Sequence, residues 1–145
     1  MGDTTGLDHL VCFDLYAASR ATTALYRRTL DAHGLTYPQY LALRVLWHRG
    51  PTTVRDLGHA LALDSGTLSP LLKRLQTQGH VRRERGTHDE RTVWIHPTAK
   101  ATDLRHHLAD LPERLAAAVD LTRDEYAQLH HLLGRVRAAA GTNHL

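Results

Sequence analysis

One short stretch with strand-like alternation interrupts a sequence that otherwise shows helical spacing of its apolar residues. Residues 81–85 (VRRER) and 91–96 (RTVWIH) alternate in the manner of β-strands. Between them lies the polar, glycine-containing segment 86–90 (GTHDE), which favours a turn. The sequence therefore predicts a single β-hairpin set among helices, and this order excludes most all-α and all-β architectures.

Two helices are predicted to begin the chain. The first runs from Leu7 to about Leu30 without proline or glycine, and Gly34 follows it as a helix-ending residue. Segment 36–39 (TYPQ) opens the second helix, because threonine and glutamine at this spacing form a capping box and proline is tolerated in the first turn. Residues 49–51 (RGP) end this helix.

Two further helices precede the hairpin. A short one begins with Thr53 as its cap. The next occupies residues 63–80, with Asp64 or Ser65 as the cap and with Pro70 in its early turns. Its apolar stripe consists of Leu68, Leu71, Leu72 and Leu75. Three short helices followed by a basic hairpin are the pattern of a winged helix-turn-helix.

Helices return after the hairpin. One is predicted over residues 98–118, interrupted or bent near Pro112, and the last begins at the capping box TRDE (122–125). We therefore expect a mainly α (α+β) fold in which residues 1–145 form a single domain. Residues 37–96 would form the winged helix-turn-helix, and the N- and C-terminal helices, residues 7–34 and 98–141, would form a dimerisation region.

Composition excludes several other classes of protein. The chain has 145 residues and a single cysteine, so an internal disulfide framework is impossible and a reducing compartment is favoured. No apolar run approaches the ~20 residues of a membrane span, and the N-terminus lacks the features of a signal peptide. The 12 histidines include no HxxxH pair. We expect a cytoplasmic protein with no membrane segment, no metal and no cofactor.

The helix before the hairpin carries the candidate residues for DNA binding. In a winged helix-turn-helix this helix enters the major groove and the hairpin loop reaches an adjacent minor groove. From Lys73 to Arg91 there are six basic residues and three acidic ones, and the net charge of +3 adds a mild preference for polyanions. A solvated basic face remains the alternative for each residue taken alone. The helix candidates are Ser65, Thr67, Ser69, Lys73 and Arg74.

The hairpin resembles that of the MarR family of transcriptional repressors. Asp89, Glu90 and Arg91 match the D-x-R wing signature of that family. The resemblance implies that Arg91 enters the minor groove, where a narrow A·T-rich site attracts a guanidinium, and that Asp89 orients a basic neighbour. After the wing the chain departs from the family pattern of Leu-Thr and a nearby glycine, since it has residues 96–98 (HPT) instead.

Within that family, residues 7–47 and 63–75 resemble the one-cysteine organic hydroperoxide resistance repressors. The apolar segment LDHLVCFDLY makes Cys12 look buried. The resemblance implies that Cys12 is a peroxide sensor and that Tyr26 and Tyr37 hydrogen-bond its sulfur. Tyr16 is expected in an apolar rim with Leu10, Phe13 and Trp47. Asp14 is a departure, because these repressors more often carry a small uncharged residue there.

Helix geometry implies that such a sensor needs two subunits. Cys12 and Tyr26 are 14 residues apart on one predicted helix, which separates them by roughly 21 Å. A contact between them therefore requires the antiparallel first helix of a second subunit, so we expect a homodimer that binds a pseudo-palindromic operator in double-stranded DNA.

The expected chemistry starts from the thiolate. Attack on an organic hydroperoxide gives a sulfenic acid and an alcohol. Because the chain has no second cysteine, a mixed disulfide with a small cellular thiol or overoxidation would follow. Either product adds bulk beside the tyrosines, moves their helices and releases the operator.

Other functions are compatible with parts of this pattern. A lone cysteine on an apolar helix is often simply buried. A repressor of the same fold would also serve if a small phenolic or aromatic ligand released it, with Cys12 only lining the pocket. A cysteine peroxidase would usually offer a resolving cysteine or a base beside the nucleophile. Since the chain shows neither, we do not expect an enzyme.

Overall fold

The computed structural model describes residues 5–142 and divides into two compact units, one up to Leu108 and one from Ala109. The α-helices it describes are α1 (Val11–Leu30), α2 (Tyr37–Arg49), α3 (Val54–Leu61), α4 (Ser65–Thr77), α5 (Ala99–His107), α6 (Leu111–Ala118) and α7 (Arg123–Thr142). The strands are β1 (Thr52–Thr53), β2 (Val81–Arg85) and β3 (Val93–Pro97). None of the helices in this part of the chain is long and apolar enough to span a membrane.

The sheet of the first unit is antiparallel, and its strand order is β1-β3-β2. Strands β2 and β3 form the predicted hairpin, in which Val81 pairs with Pro97 and Arg85 with Val93. The second strand starts two residues later than predicted, because residues 91 and 92 belong to the loop. Strand β1 was not predicted, since two threonines between helices carry no periodic signal, and it pairs with β3 through Thr52 and Ile95.

The first helix is shorter than predicted. It begins at Val11 rather than Leu7, because Leu10 has extended backbone angles and residues 7–10 form a turn in which the Leu10 N–H bonds the Leu7 carbonyl. Apolar spacing continues through such a turn, so periodicity alone misplaces the start. A 3-10 helix, Asp31–His33, then leads to Gly34, whose positive φ of 66° reverses the chain as predicted.

The N-terminal caps predicted for α2, α3 and α4 are confirmed. The capping box of α2 is complete, with the Gln39 N–H donating to Thr36 Oγ and the Thr36 N–H donating to Gln39 Oε1. Thr53 caps α3 through the Asp56 N–H. Asp64, and not Ser65, caps α4, because the Thr67 N–H donates to its carboxylate over 2.7 Å.

The core of the first unit lies where α2 packs against α3, α4, α5 and β3. The apolar stripe predicted for α4 is buried in it. A partly buried hydrogen bond adds to this packing, since the Trp47 indole N–H donates to the Ala101 carbonyl and so ties α2 to α5. The core side chains are Leu30, Tyr40, Leu43, Leu46, Leu57, Leu68, Leu72, Leu75 and Ile95.

The helix predicted after the wing is interrupted, as expected from its proline. Helix α5 ends at His107, and α6 starts at Leu111 with Pro112 in its first turn. In the second unit the capping box of α7 is present, because Thr122 and Glu125 exchange hydrogen bonds. The arrangement confirms the predicted mainly α fold with a winged helix-turn-helix. The proposal that both units act as one domain stays a prediction.

Candidate functional site

Helix α4 presents a polar outer face above its buried leucines. Ser65, Ser69 and Lys73 are exposed, whereas Leu68, Leu71, Leu72 and Leu75 are buried. The Asp64 cap fixes the first turn of the helix, and the hydrogen bond from the Thr67 N–H holds the pKa of the Asp64 carboxyl below its ordinary value. This cap fixes where α4 begins, and α4 is the helix that the sequence predicts to enter the major groove.

Two backbone hydrogen bonds close the wing loop, residues 86–92. The Gly86 N–H donates to the Thr92 carbonyl, and the Thr92 N–H donates to the Asp89 carbonyl. At Gly86 a Cβ atom would lie 2.6 Å from the Asp89 carbonyl oxygen, so only glycine fits this tight loop. The loop is therefore a compact, exposed projection.

Asp89 forms a side-chain hydrogen bond with the backbone of Arg91. Its Oδ1 accepts a hydrogen bond of 2.9 Å from the Arg91 N–H. This bond fixes the direction in which the chain leaves the loop at Arg91, whose side chain is exposed.

The basic residues of the hairpin are not equally available to an anion. Arg82 donates to Glu84 over 2.8 Å, and His96 lies 3.2 Å from the same carboxylate oxygen. The Arg82 bond, followed by the charge of His96, holds the pKa of Glu84 below its ordinary value. Within residues 5–142, Arg83, Arg85 and Arg91 make no ion pair. These three, rather than Arg82, offer free charge to a phosphate backbone.

The two tyrosines predicted at the sensor lie together within one chain. The rings of Tyr26 and Tyr37 are 4.5 Å apart between centroids. Tyr40 stacks beside both, 5.7 Å from Tyr26 and 6.4 Å from Tyr37, and its other side meets Trp47 at 6.1 Å. This aromatic cluster packs the C-terminal half of α1 against α2. Tyr40 was not singled out from the sequence, although its spacing of three residues from Tyr37 places both on one helix face.

Cys12 does not lie in that cluster. It is exposed in the first turn of α1, although the sequence around it makes the thiol look buried. The apolar neighbours that made it look buried, Leu10, Val11 and Phe13, are themselves 50%, 65% and 39% exposed. Tyr16 is exposed as well, with the Arg20 guanidinium over its ring. Apolar spacing predicts a buried face, but no described part of this chain covers it.

A groove of about 460 Å³ lies between Tyr37 and α4. Tyr37 and Pro38 line one side, Arg27 lines it from α1, and Thr67 and Arg74 line it from α4. Two of the predicted DNA-binding residues, Thr67 and Arg74, therefore face the same groove as a predicted sensor residue. Among residues 5–142, no three His, Cys, Asp or Glu side chains are grouped so that they could hold a metal ion.

Sequence comparisons connect this geometry to known regulators. Residues 24–108 match the family described as transcriptional regulator SarA/Rot. The chain is 40% identical over 137 residues to the HTH-type transcriptional regulator MgrA of Staphylococcus aureus, which covers 94% of this chain and 93% of MgrA. It is 44% identical over 147 residues to the HTH-type transcriptional regulator TtmR of Methylorubrum extorquens, covering 99% of this chain and 75% of TtmR.

Solved structures with a similar fold include two of AbfR on DNA. Reduced AbfR bound to DNA is 31% identical, with a TM-score of 0.78 over 93% of this chain and 92% of that chain. Overoxidized AbfR bound to DNA is 32% identical, with a TM-score of 0.78 over 92% of this chain and 94% of that chain. AbfR comes from Staphylococcus epidermidis.

The bond from Asp89 to the Arg91 backbone generates a test with a charge-matched control. Asp89→Ala and Glu90→Ala each remove one negative charge from the wing, but only Asp89→Ala removes the hydrogen bond. We expect Asp89→Ala to weaken duplex DNA binding by about 1 kcal/mol, roughly fivefold, through loss of that bond. Glu90→Ala should bind at least as tightly as the wild type. Fluorescence anisotropy measures both, and equal affinities of the two variants would contradict the positioning of Arg91 by Asp89.

Proposed function

This chain is a DNA-binding transcriptional regulator of the SarA/Rot family, with the MarR-like winged-helix fold, and we propose that it is a repressor whose Cys12 senses organic hydroperoxides. In this proposal it belongs with the one-cysteine organic hydroperoxide resistance repressors. It binds a pseudo-palindromic operator as a homodimer and releases it when Cys12 is oxidised.

On DNA, α4 occupies the major groove and the wing reaches the neighbouring minor groove. Ser65, Ser69 and Lys73 lie on the exposed face of α4, where they meet base edges and phosphates. Arg91, at the end of the compact wing loop, supplies the guanidinium for the minor groove. Thr67 and Arg74 line the groove beside Tyr37, so in this proposal they connect the DNA-binding helix α4 to the sensor.

The observation that supports the sensor proposal is that the thiol and the tyrosine pair lie at opposite ends of α1. The exposed thiol and its uncovered apolar neighbours lie at one end, and the tyrosine pair lies at the other. Antiparallel packing of two copies of α1 brings the thiol end of one helix to the tyrosine end of the other. The hydroxyls of Tyr26 and Tyr37 of the partner subunit then reach the Cys12 sulfur and stabilise its thiolate.

The reaction consumes one hydroperoxide per thiol. The thiolate attacks the terminal oxygen, an S–O bond forms, and the O–O bond breaks. The alkoxide leaves and takes up a proton to become the alcohol, while the sulfur is oxidised to sulfenic acid. A small cellular thiol then attacks this sulfur, giving a mixed disulfide and water.

Release of the operator follows from the added bulk. A mixed disulfide beside Tyr37 pushes on a ring that lines the groove against α4. Since α4 forms the opposite wall of that groove, displacement of the ring shifts the helix that reads DNA.

A repressor released by a small phenolic or aromatic acid is the second candidate function. The groove of about 460 Å³ has the size of a small-molecule site, and both Arg27 and Arg74 line it. The lining has one carboxylate, Asp31, so the two guanidinium groups leave an excess of positive charge that suits a carboxylate ligand, and the Tyr37 ring suits an aromatic body. In that case Cys12 takes no part in release of the operator.

The dimer is tested on α7, whose apolar stripe is exposed in one chain, with Leu129 42% and Leu132 44% accessible. We expect Leu132→Glu to place a charge in the interface and convert the dimer to monomer at micromolar concentration. His131→Glu introduces the same charge on the opposite face of the helix and should leave the dimer intact. Sedimentation velocity distinguishes these states, and a stable wild-type monomer would contradict the dimer.

The sensor is tested by Cys12→Ser with cumene hydroperoxide and free cysteine. We expect the oxidised wild type to lose operator affinity by at least about tenfold, whereas the serine variant keeps its affinity because it has no oxidisable sulfur. Mass spectrometry of the wild type should show one cysteine adduct per chain.

Untreated Cys12→Ser serves as the control and should bind DNA like the untreated wild type. Equal release of both proteins by peroxide would refute Cys12 as the sensor. Release by a hydroxybenzoate, abolished by Arg27→Ala, together with insensitivity to peroxide, would establish the second candidate instead.

A further inference from the structure

The turn between α4 and β2, residues 78–80, is held from three directions, and we call it the joint. The Gln78 side-chain N–H donates to the Gly34 carbonyl over 2.6 Å, which ties the joint to the segment between α1 and α2. Lys100 Nζ donates to the Gln78 carbonyl over 2.7 Å, and Thr98 Oγ donates to the Gly79 carbonyl over 2.6 Å. The joint therefore connects α4 and β2 to the segment between α1 and α2 and to the start of α5.

His80 is the buried member of the joint. Only 4% of it is exposed, and its backbone joins two elements, since its N–H bonds the Leu75 carbonyl and its own carbonyl accepts from the Thr98 N–H. Its ring nitrogen Nδ1 is buried and has no hydrogen-bond partner among the described residues. A charged imidazole carries an N–H on both nitrogens, so protonation would leave a buried donor without an acceptor.

The surroundings of His80 also disfavour a positive charge. A cavity of about 350 Å³ borders the ring, and the charged and titratable groups that line it with His80 are His33 from the 3-10 helix and Lys100, Asp103 and His107 from α5. Burial, followed by the charges of Lys100 and His33, lowers the pKa of His80. Asp103 is the one carboxylate among the described residues of this lining.

We propose that the joint is a proton-sensitive switch: protonation of His80 opens the 78–80 turn and weakens the hold of α4 and the wing on DNA. The inference rests on the proposed DNA-binding function and adds a second input, acidity, that is independent of Cys12. Because β2 starts directly after His80, opening of the turn changes the angle between the reading helix and the wing.

The direction of the pH effect follows from the neutral state of the buried ring. The pKa of His80 in the closed joint lies below the ordinary value of about 6.5, so an opened joint takes up a proton first as pH falls. The closed joint is fully favoured above about pH 6.5 and becomes progressively less favoured below it, until the pH passes the lowered pKa of the closed form.

The test compares operator affinity at about pH 7.5 and about pH 5.5 for the wild type, His80→Gln and His106→Gln. The duplex is selected with the wild-type protein from a random library, and ionic strength is held constant. Protonation of other histidines strengthens DNA binding, and the His80→Gln protein measures that background. His106 is exposed on α5 next to the cavity residue His107, which makes it the matched control.

We expect acidification to weaken wild-type binding, relative to His80→Gln, by about threefold to tenfold per protomer. About tenfold is the upper limit for the uptake of one proton by a group with a reference pKa near 6.5 over this pH interval. His106→Gln should behave like the wild type. Lys100→Gln removes a charge that opposes protonation and also one hydrogen bond that holds the joint closed, so it should weaken binding at about pH 7.5 and move the midpoint of the pH profile upward. The same pH ratio in the wild type and in His80→Gln would overturn the proposal.

Two measurements separate failure of the joint from failure of the proposed function. Thermal unfolding without DNA should show that acidification lowers the wild-type Tm more than the Tm of His80→Gln, and equal shifts would overturn the joint even if the protein bound no DNA. If His80→Gln does not fold, NMR titration of the wild-type His80 ring decides. Its midpoint should fall when duplex is bound, because coupling is reciprocal, and an unchanged midpoint would overturn the proposal.

Discussion

The proposed sensor depends on the length of one helix, α1, which separates the thiol from the tyrosines of its own chain. Helix α1 carries the only thiol of the chain in its first turn and Tyr26 of the aromatic cluster in its fifth, about 21 Å further along. The tyrosine end is packed against α2, whereas the thiol end and its apolar neighbours are exposed. In the proposed homodimer, an antiparallel copy of the same helix covers this exposed end and brings its tyrosines to the thiol.

The packed end of α1 connects to DNA recognition by two separate routes. Through the first, the Tyr37 ring and the Arg74 side chain line the same groove, so a change at the aromatic cluster reaches α4 from the side. Through the second, Gln78 bonds the Gly34 carbonyl, so the end of α4 is held by the segment that follows α1. In the proposed mechanism a bulky adduct at Cys12 acts through the first route, and protonation of His80 acts through the second.

The features that the sequence predicted correctly are those that depend on interactions between neighbouring residues. The capping box at Thr36, the reversal at Gly34 and the hairpin each depend on a few neighbouring residues, and sequence patterns report such interactions well. The exposure of Cys12 was not predictable, because apolar spacing marks a face to be covered without saying which chain covers it. The pairing that occupies Arg82 and the groove beside Tyr37 depend on contacts between distant segments, so single-sequence patterns carry no signal for them.

A mixed dimer tests most directly whether the sensor spans two subunits. One subunit carries Cys12→Ser, and the other carries both Tyr26→Phe and Tyr37→Phe. If the thiol of one subunit meets the tyrosines of the other, this dimer keeps one complete site, and half of the wild-type number of thiols should react with cumene hydroperoxide at the wild-type rate. A rate no faster than that of the homodimer with both phenylalanines would contradict the account.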